Sequence, residues 1–120
     1  MACRVILMME EEQPEGLSAR KLVVETAKHN VLTAYDADEG IELLRRFPNI
    51  DAVLVHARVL DKQPNLLARV KMLSPNTPII LASPGGDHKR PEVTYTVDSH
   101  RPIDLVMLLA DKFSADISNR

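Results

Sequence analysis

Short apolar runs alternate along the chain with longer amphipathic stretches. Each run has four or five residues and is almost uninterrupted, a pattern typical of strands that are covered on both faces of a parallel sheet. The last run is more polar, because it contains Thr94, Tyr95 and Thr96, and we predict that it forms an edge strand. The predicted strands cover residues 5–9, 31–35, 52–55, 78–82 and 93–97.

Between the runs, apolar side chains recur at the helical period of about 3.6 residues. Four stripes of this kind predict helices over 19–27, 37–47, 66–73 and 103–113. Asp36 or Asp38 is suited to cap the second of these helices, and Pro102 is suited to the first turn of the last one. The tract 84–91 contains two prolines and two adjacent glycines, so we do not expect a regular helix there.

This alternation predicts an α/β fold with a doubly wound, five-stranded parallel sheet between two layers of helices. The helix between the fourth and fifth strands is expected to be shortened or replaced by a loop. We expect one domain over residues 1–120, with a core over about 4–113 and a frayed tail over 114–120. In such folds the functional residues lie at the carboxyl ends of the strands.

Composition narrows the class of protein. Fifteen basic and 17 acidic residues leave a net charge of -2 with no long block of one sign, which argues against nucleic acid or an anionic membrane as partner. Cys3 is the only cysteine, so an intrachain disulfide is excluded and a reducing, cytoplasmic location is expected. His29, His88 and His100 lack the spacing of a metal site, and we interpret them as surface histidines.

Polar residues stand at the ends of four predicted strands. Glu10 and Glu11 follow the first strand, His56 follows the third, Ser83 follows the fourth, and Arg101 opens the sequence Arg-Pro-Ile-Asp after the fifth. Together, over about residues 4–113, this order resembles the response regulator receiver domain, whose fold is CheY-like (flavodoxin-like).

The resemblance implies a phosphorylation site in which some of the residues have changed. In receivers an acidic pair such as Glu10 and Glu11 helps to hold magnesium, a hydroxyl residue such as Ser83 lies beside the phosphoryl group, and a lysine stands where this chain has Arg101. The phosphorylated aspartate is replaced by His56, which offers no carboxylate. The resemblance therefore implies a degenerate pseudo-receiver without catalytic residues. Magnesium is not expected, with Glu10 and Glu11 as its weak candidate ligands.

Two interpretations of His56 remain open. In the first interpretation, His56 forms an internal charge pair with Glu10 or Glu11, which favours the protonated imidazole, and Arg101 binds a carboxylate in a forked geometry. Alternatively, it is a solvated loop residue. The resemblance also places Asp98 at the position of the receivers' aromatic switch, so that this switch is lost.

The expected function is phosphorylation-independent signalling through protein partners, without enzymatic activity or a cofactor. The resemblance implies a histidine kinase, another receiver or an output domain as partner, and a homodimer is a further possibility. The last helix, the edge strand and the Gly-Pro loop are the expected contact surface. One alternative is a small flavodoxin-like ligand-binding protein. Another is a receiver phosphorylated at an atypical residue such as Asp61, which lies just beyond His56.

Overall fold

The five apolar runs form one parallel sheet in the computed structural model, which describes residues 4–10, 29–86 and 90–113. The order of the strands is β2-β1-β3-β4-β5, so that the most apolar ones are central. The predicted doubly wound sheet is confirmed, and so is the edge position of the polar last run, which begins two residues later than predicted. The strands are β1 (Val5–Met9), β2 (Asn30–Ala34), β3 (Ala52–His56), β4 (Ile79–Ser83) and β5 (Tyr95–Asp98).

Four α-helices lie in the described ranges. Three of them match predicted helices, whereas the helix predicted over 19–27 and the tail over 114–120 fall outside the described residues. The second of the four observed α-helices was not predicted, because its six residues are too few to show a helical period. The helices are α1 (Ala37–Arg46), α2 (Ala57–Lys62), α3 (Leu66–Leu73) and α4 (Pro102–Lys112).

The connection from β4 to β5 begins with a 3-10 turn over Pro84–Gly86. Gly85 and Gly86 both have a positive φ, 72° and 67°, which residues with a Cβ rarely adopt. No α-helix occurs in this connection within the part of the chain that the structure describes, which agrees with the predicted replacement of a helix by a loop. Arg90, near the end of the connection, donates from Nη1 to the carbonyl oxygen of Pro64 at 3.4 Å, just after α2.

Two apolar cores lie on opposite faces of the sheet, because successive side chains of a strand point to opposite sides. Leu7 and Met9 of β1 face the core that α1, α2 and α3 cover. Ile6 and Met8 face the other core, against Leu105 and the rest of the buried face of α4. Helices therefore cover both faces, which confirms the predicted three-layer sandwich.

A tight contact between α1 and the end of β1 depends on a glycine. A Cβ built at Gly40 would lie 2.6 Å from both Sδ and Cε of Met9, far inside van der Waals contact. Met9 is fully buried and is followed directly by Glu10. Gly40 thus lets the helix approach closely at the point where the first strand delivers its acidic residue.

We predict that Gly40→Val lowers the free energy of unfolding by about 1–3 kcal/mol, because the added methyl groups have to displace the buried Met9. Urea denaturation measures the change. Met72→Val is the control, since it places the same side chain at a position of α3 that is 84% exposed, where about 0.5 kcal/mol or less is expected. Equal midpoints for Gly40→Val and the wild type would show that the contact is not tight.

A charged cluster lies where the strands of the sheet begin, at their amino-terminal ends. His29 precedes β2 and is buried, so the prediction of a surface histidine is wrong, and its Nδ1 has no hydrogen-bond partner. Asp51 precedes β3 and accepts a hydrogen bond from the backbone N–H of Val5 at 2.8 Å. Burial, and to a smaller extent the charge of Arg4, lowers the pKa of His29 below 6.5, while Asp51 acts in the opposite direction.

The depressed pKa of His29 predicts a loss of stability in mild acid. The unfolded chain protonates this histidine near pH 6.5, and the folded chain does so only at lower pH. Stability therefore falls as the pH drops from about 6.5 through the folded pKa. The urea midpoint of the wild type should be lower at pH 5 than at pH 7.5, and His29→Leu should narrow the gap. An unaltered gap in His29→Leu would refute the assignment.

Candidate functional site

The carboxyl ends of β1, β3, β4 and β5 bring four polar residues to one edge of the sheet. Met9 is paired with Val55, so Glu10 follows β1 at the level of His56, the last residue of β3. His56 is paired with Ala82, and the next residue, Ser83, is paired with Asp98 at the end of β5. The register thus aligns Glu10, His56, Ser83 and Asp98 along four neighbouring strands.

His56 has a role that neither interpretation of the sequence included. It is the N-cap of α2, which starts at the next residue, and its Nδ1 accepts the backbone N–H of Arg58 at 3.0 Å. A nitrogen that accepts this hydrogen bond carries no proton, so the contact requires an imidazole that is unprotonated at Nδ1. A charge pair with Glu10 needs the doubly protonated ring, and the cap contact does not support it.

Glu10 is the buried carboxylate of this edge. Its backbone N–H donates to the carbonyl oxygen of Ala34 at 3.0 Å, which fixes the chain as it leaves β1 beside the end of β2. Glu11, the other member of the predicted acidic pair, lies outside the described residues. In the ranges 4–10, 29–86 and 90–113, no cluster of three or more His, Cys, Asp or Glu side chains is arranged to hold a metal ion.

Ser83 presents a buried hydroxyl group. The residue is 0% exposed, and its Oγ has no hydrogen-bond partner. Its backbone carbonyl accepts the N–H of Ser99 at 2.9 Å, which holds the turn after β5 against the end of β4. The orphaned hydroxyl is thus fixed beside the end of the edge strand.

Asp98 organises the loops around Ser83, a role that the sequence analysis missed. Its Oδ1 accepts the N–H groups of Gly85, at 3.1 Å, and of His100, at 2.9 Å. The hydrogen bond from His100 lowers the pKa of Asp98 below 3.8; the bond from Gly85 and the charges of His100 and Arg101 act in the same direction, and desolvation opposes them. The sequence Asp-Ser-His could have indicated this role, because an aspartate often accepts the backbone N–H two residues further on in an Asx turn.

The side chain of Arg101 lies beside an acidic residue of α4. β5 ends at Asp98, and Arg101 follows three residues later as the N-cap residue of α4. Its side chain is 64% exposed, and its Nε lies 3.5 Å from Oδ1 of Asp104. The predicted forked contact with a strand-end carboxylate is not formed, and the charge beside Ser83 is the negative one of Asp98.

Asp61 and a small pocket lie beside this edge on α2. Asp61 is exposed on the helix, rather than in a loop as predicted. The pocket, with a volume of about 160 Å³, lies between the start of α1 and α2 and does not include Glu10, His56 or Ser83. Its walls are formed by Tyr35, Asp36, Ala37, Asp38, Val59, Lys62 and Gln63.

Because Asp98 accepts these hydrogen bonds as a carboxylate, we predict that the protein loses stability in acid. Because its folded pKa lies below its unfolded value near 3.8, the carboxylate stabilises the fold above about pH 4, and this contribution is lost as the pH falls through the folded pKa. Asp98→Asn should show a weaker fall in melting temperature between pH 6 and pH 3 than the wild type. Asp111→Asn, at an exposed carboxylate, should follow the wild-type curve. Parallel curves for wild type and Asp98→Asn would contradict the proposed contacts.

Comparison with known proteins gives matches among solved structures. No protein-family model and no curated protein matches the chain. A response regulator receiver domain protein from Clostridium thermocellum is 20% identical with a TM-score of 0.75, covering 90% of this chain and 92% of that one. A CheY-like receiver domain protein from Methanospirillum hungatei is 19% identical with a TM-score of 0.73, covering 92% and 94%.

A third similar structure includes a protein partner. It is the complex of the phosphorylated P1 domain of CheA3 with CheY6 from R. sphaeroides, with 13% identity, a TM-score of 0.64, and coverage of 90% of this chain and 94% of that one. Identities of this size establish similarity of fold and leave the chemistry of the strand ends to be judged from the residues present. The chain therefore has the fold of the response regulator receiver domain, with a five-stranded parallel sheet and, among the described residues between β4 and β5, a 3-10 turn in place of an α-helix.

Proposed function

We propose that this chain is a pseudo-receiver, a signalling domain that acts by binding other proteins and does not use phosphorylation. The observation that carries the proposal is the contact of His56 Nδ1 with the N–H of Arg58. At the end of β3, where a receiver presents its aspartate, this chain presents a ring nitrogen whose lone pair already caps a helix. A phosphoryl acceptor needs a free nucleophilic lone pair, and the cap engages that of Nδ1. A neutral imidazole that accepts through Nδ1 carries its proton on Nε2, so that neither ring nitrogen offers a free lone pair.

The charges around Ser83 also oppose a phosphoryl group. Transfer of phosphate requires positive charge or N–H donors close to the phosphoryl oxygens. Beside Ser83 the edge strand ends in the carboxylate of Asp98, which already binds the N–H of Gly85. Arg101 is exposed and lies beside Asp104 instead. A dianionic phosphate here would meet a fixed negative charge and an occupied donor.

We propose that no magnesium ion is needed at this edge. The metal in a receiver offsets the charge of several carboxylates and of the phosphate, whereas here an imidazole replaces the central carboxylate next to Glu10. Glu10 and Glu11 remain the weak candidate ligands if magnesium binds at all.

A protein is the proposed partner, in the cytoplasm and without enzymatic turnover. The similar CheY6 structure is that of a complex with the phosphorylated P1 domain of CheA3, so that protein binds a protein partner. We infer the same class of partner here: a histidine kinase, another receiver or an output domain. None of the described helices is long and apolar enough to cross a bilayer.

Two alternatives have less support from the geometry. A small flavodoxin-like ligand binder needs a pocket of about 300–1,000 Å³, whereas the pocket beside α2, in the part of the chain that the structure describes, has about 160 Å³. Phosphorylation at Asp61 would use an exposed helical carboxylate, and no described metal cluster supports it. Retention of a phosphoryl group on Asp61 after treatment with acetyl phosphate would revive this alternative.

The proposal predicts that the amide NMR spectrum does not respond to a phosphoryl mimic. Wild-type protein titrated with magnesium and beryllofluoride should show no saturable shift at Glu10, His56, Ser83 or Asp98, because no acceptor and no counter-charge are in place. Saturable, magnesium-dependent shifts at these residues would show that the site is functional and would overturn the pseudo-receiver.

His56→Asp tests whether the loss of the aspartate alone accounts for the missing response. Aspartate is a strong N-cap residue, so the variant keeps the cap of α2 and restores the carboxylate. We expect it to remain unresponsive, because Asp98 still occupies the position beside Ser83. A response of this variant alone would assign the loss of chemistry to His56 by itself.

A further inference from the structure

The small pocket between the start of α1 and α2 has an apolar interior and a polar rim. Ala37 and Val59 are its most buried lining residues, only 2% and 3% exposed. Tyr35, which is 46% exposed, is the aromatic residue of its wall. The other lining residues are polar and closer to solvent: Asp36, Asp38, Lys62 and Gln63.

Hydrogen bonds hold both walls of the pocket in place. Oδ1 of Asp36 accepts the backbone N–H of Glu39 at 2.8 Å, and Oε1 of Glu39 accepts the N–H of Tyr35 at 2.9 Å. A reciprocal pair of this kind fixes the chain as it enters a helix. On the other wall, the N–H of Gln63 donates to the carbonyl oxygen of Val59 at 3.0 Å and closes the last turn of α2. An occupant therefore does not have to order these walls when it binds.

The volume of the pocket limits its occupant to a single ring. A cavity of about 150 Å³ is enough to bind benzene. This pocket has about 160 Å³, so one six-membered ring fits, whereas the bicyclic indole of a tryptophan is too large. A free drug-sized ligand needs about 300–1,000 Å³. The size is that of one aromatic side chain inserted by a partner.

Charges of both signs line the pocket, which favours a neutral occupant. The carboxylates of Asp36 and Asp38 repel an acidic side chain, and the ammonium group of Lys62 repels a basic one. A neutral aromatic ring gains from contact with Tyr35 and with the apolar interior. A hydroxyl group on that ring can in addition form a hydrogen bond with the polar rim. The tyrosine side chain combines one ring with such a hydroxyl group.

We propose that the pocket between α1 and α2 binds the side chain of one tyrosine of a partner protein. The inference rests on the proposed function, because it names the anchor by which a partner of the pseudo-receiver is held. A ring alone in so small a pocket gains little affinity, whereas a tyrosine inserted from a protein fixes the position of a larger contact. This difference favours a protein over a free phenolic molecule as the occupant.

The test titrates the labelled full chain with three uncharged amino-acid amides and follows the backbone amides by NMR. N-acetyl-tyrosinamide should shift the signals over 35–38 and 59–63 with a dissociation constant of about 1 mM, as expected for a ligand of this size. N-acetyl-phenylalaninamide lacks the hydroxyl group and should bind about threefold more weakly, which corresponds to one lost hydrogen bond. N-acetyl-tryptophanamide should bind at least about tenfold more weakly, because indole exceeds the volume.

Two variants distinguish the pocket from general attraction between the amides and the protein. Tyr35→Ser removes the aromatic wall and should weaken binding of N-acetyl-tyrosinamide at least about tenfold. Phe47→Ser is the matched control, because Phe47 is 40% exposed at the far end of α1, and it should leave the affinity unchanged. Unshifted amide signals away from each substitution show that the variant is folded.

Several outcomes would overturn the proposal. Equal affinities for the three amides would remove the arguments from size and hydroxyl group, and wild-type affinity in Tyr35→Ser would place the binding elsewhere. Micromolar binding of free p-cresol would assign the pocket to a small phenolic molecule instead of a protein. None of these outcomes affects the beryllofluoride experiment, which reads the strand ends, so a failure here leaves the pseudo-receiver proposal standing.

Discussion

The burial of both faces of the sheet is the constraint on which the rest of this structure depends. Side chains of β1, β3 and β4 point alternately into two apolar cores, so these strands have no room for a polar group until they end. Their first polar side chains, those of Glu10, His56 and Ser83, therefore appear together at the carboxyl edge. A cluster of polar residues in this place follows from the packing of the sheet before any chemistry is assigned to it.

What the edge does depends on where its hydrogen bonds are directed. In this chain the groups around the edge mostly bind their own backbone: Nδ1 of His56 caps a helix, and Asp98 closes the turns after β4 and β5. Groups used in this way hold a loop in one position and are less available to a ligand. In this chain the carboxyl edge of the sheet thus holds in place the loops that follow its strands.

Most of the fold could be predicted from the sequence, because apolar runs and helical stripes are long-range patterns set by burial. The site was harder to predict, since it depends on boundaries of one to three residues. β5 ends at Asp98 rather than at residue 97, which puts a carboxylate beside Ser83. Likewise, α2 is too short to show a period, so the capping role of His56 could not be foreseen. The burial of His29 was missed because one residue beside a strand has no pattern of its own.

The direct passage from β3 into α2 has a mechanical consequence. No linker separates His56 from the helix, so displacing the imidazole uncaps α2, and an N-cap contributes only about 1 kcal/mol. The other end of this short helix leads to Pro64, whose carbonyl binds Arg90 ahead of the edge strand. The helix therefore connects the centre of the sheet with the segment before its outer strand, and the contacts at its two ends contribute little energy. A disturbance at the end of β3 can thus reach the segment before β5 through the fewer than two turns of α2.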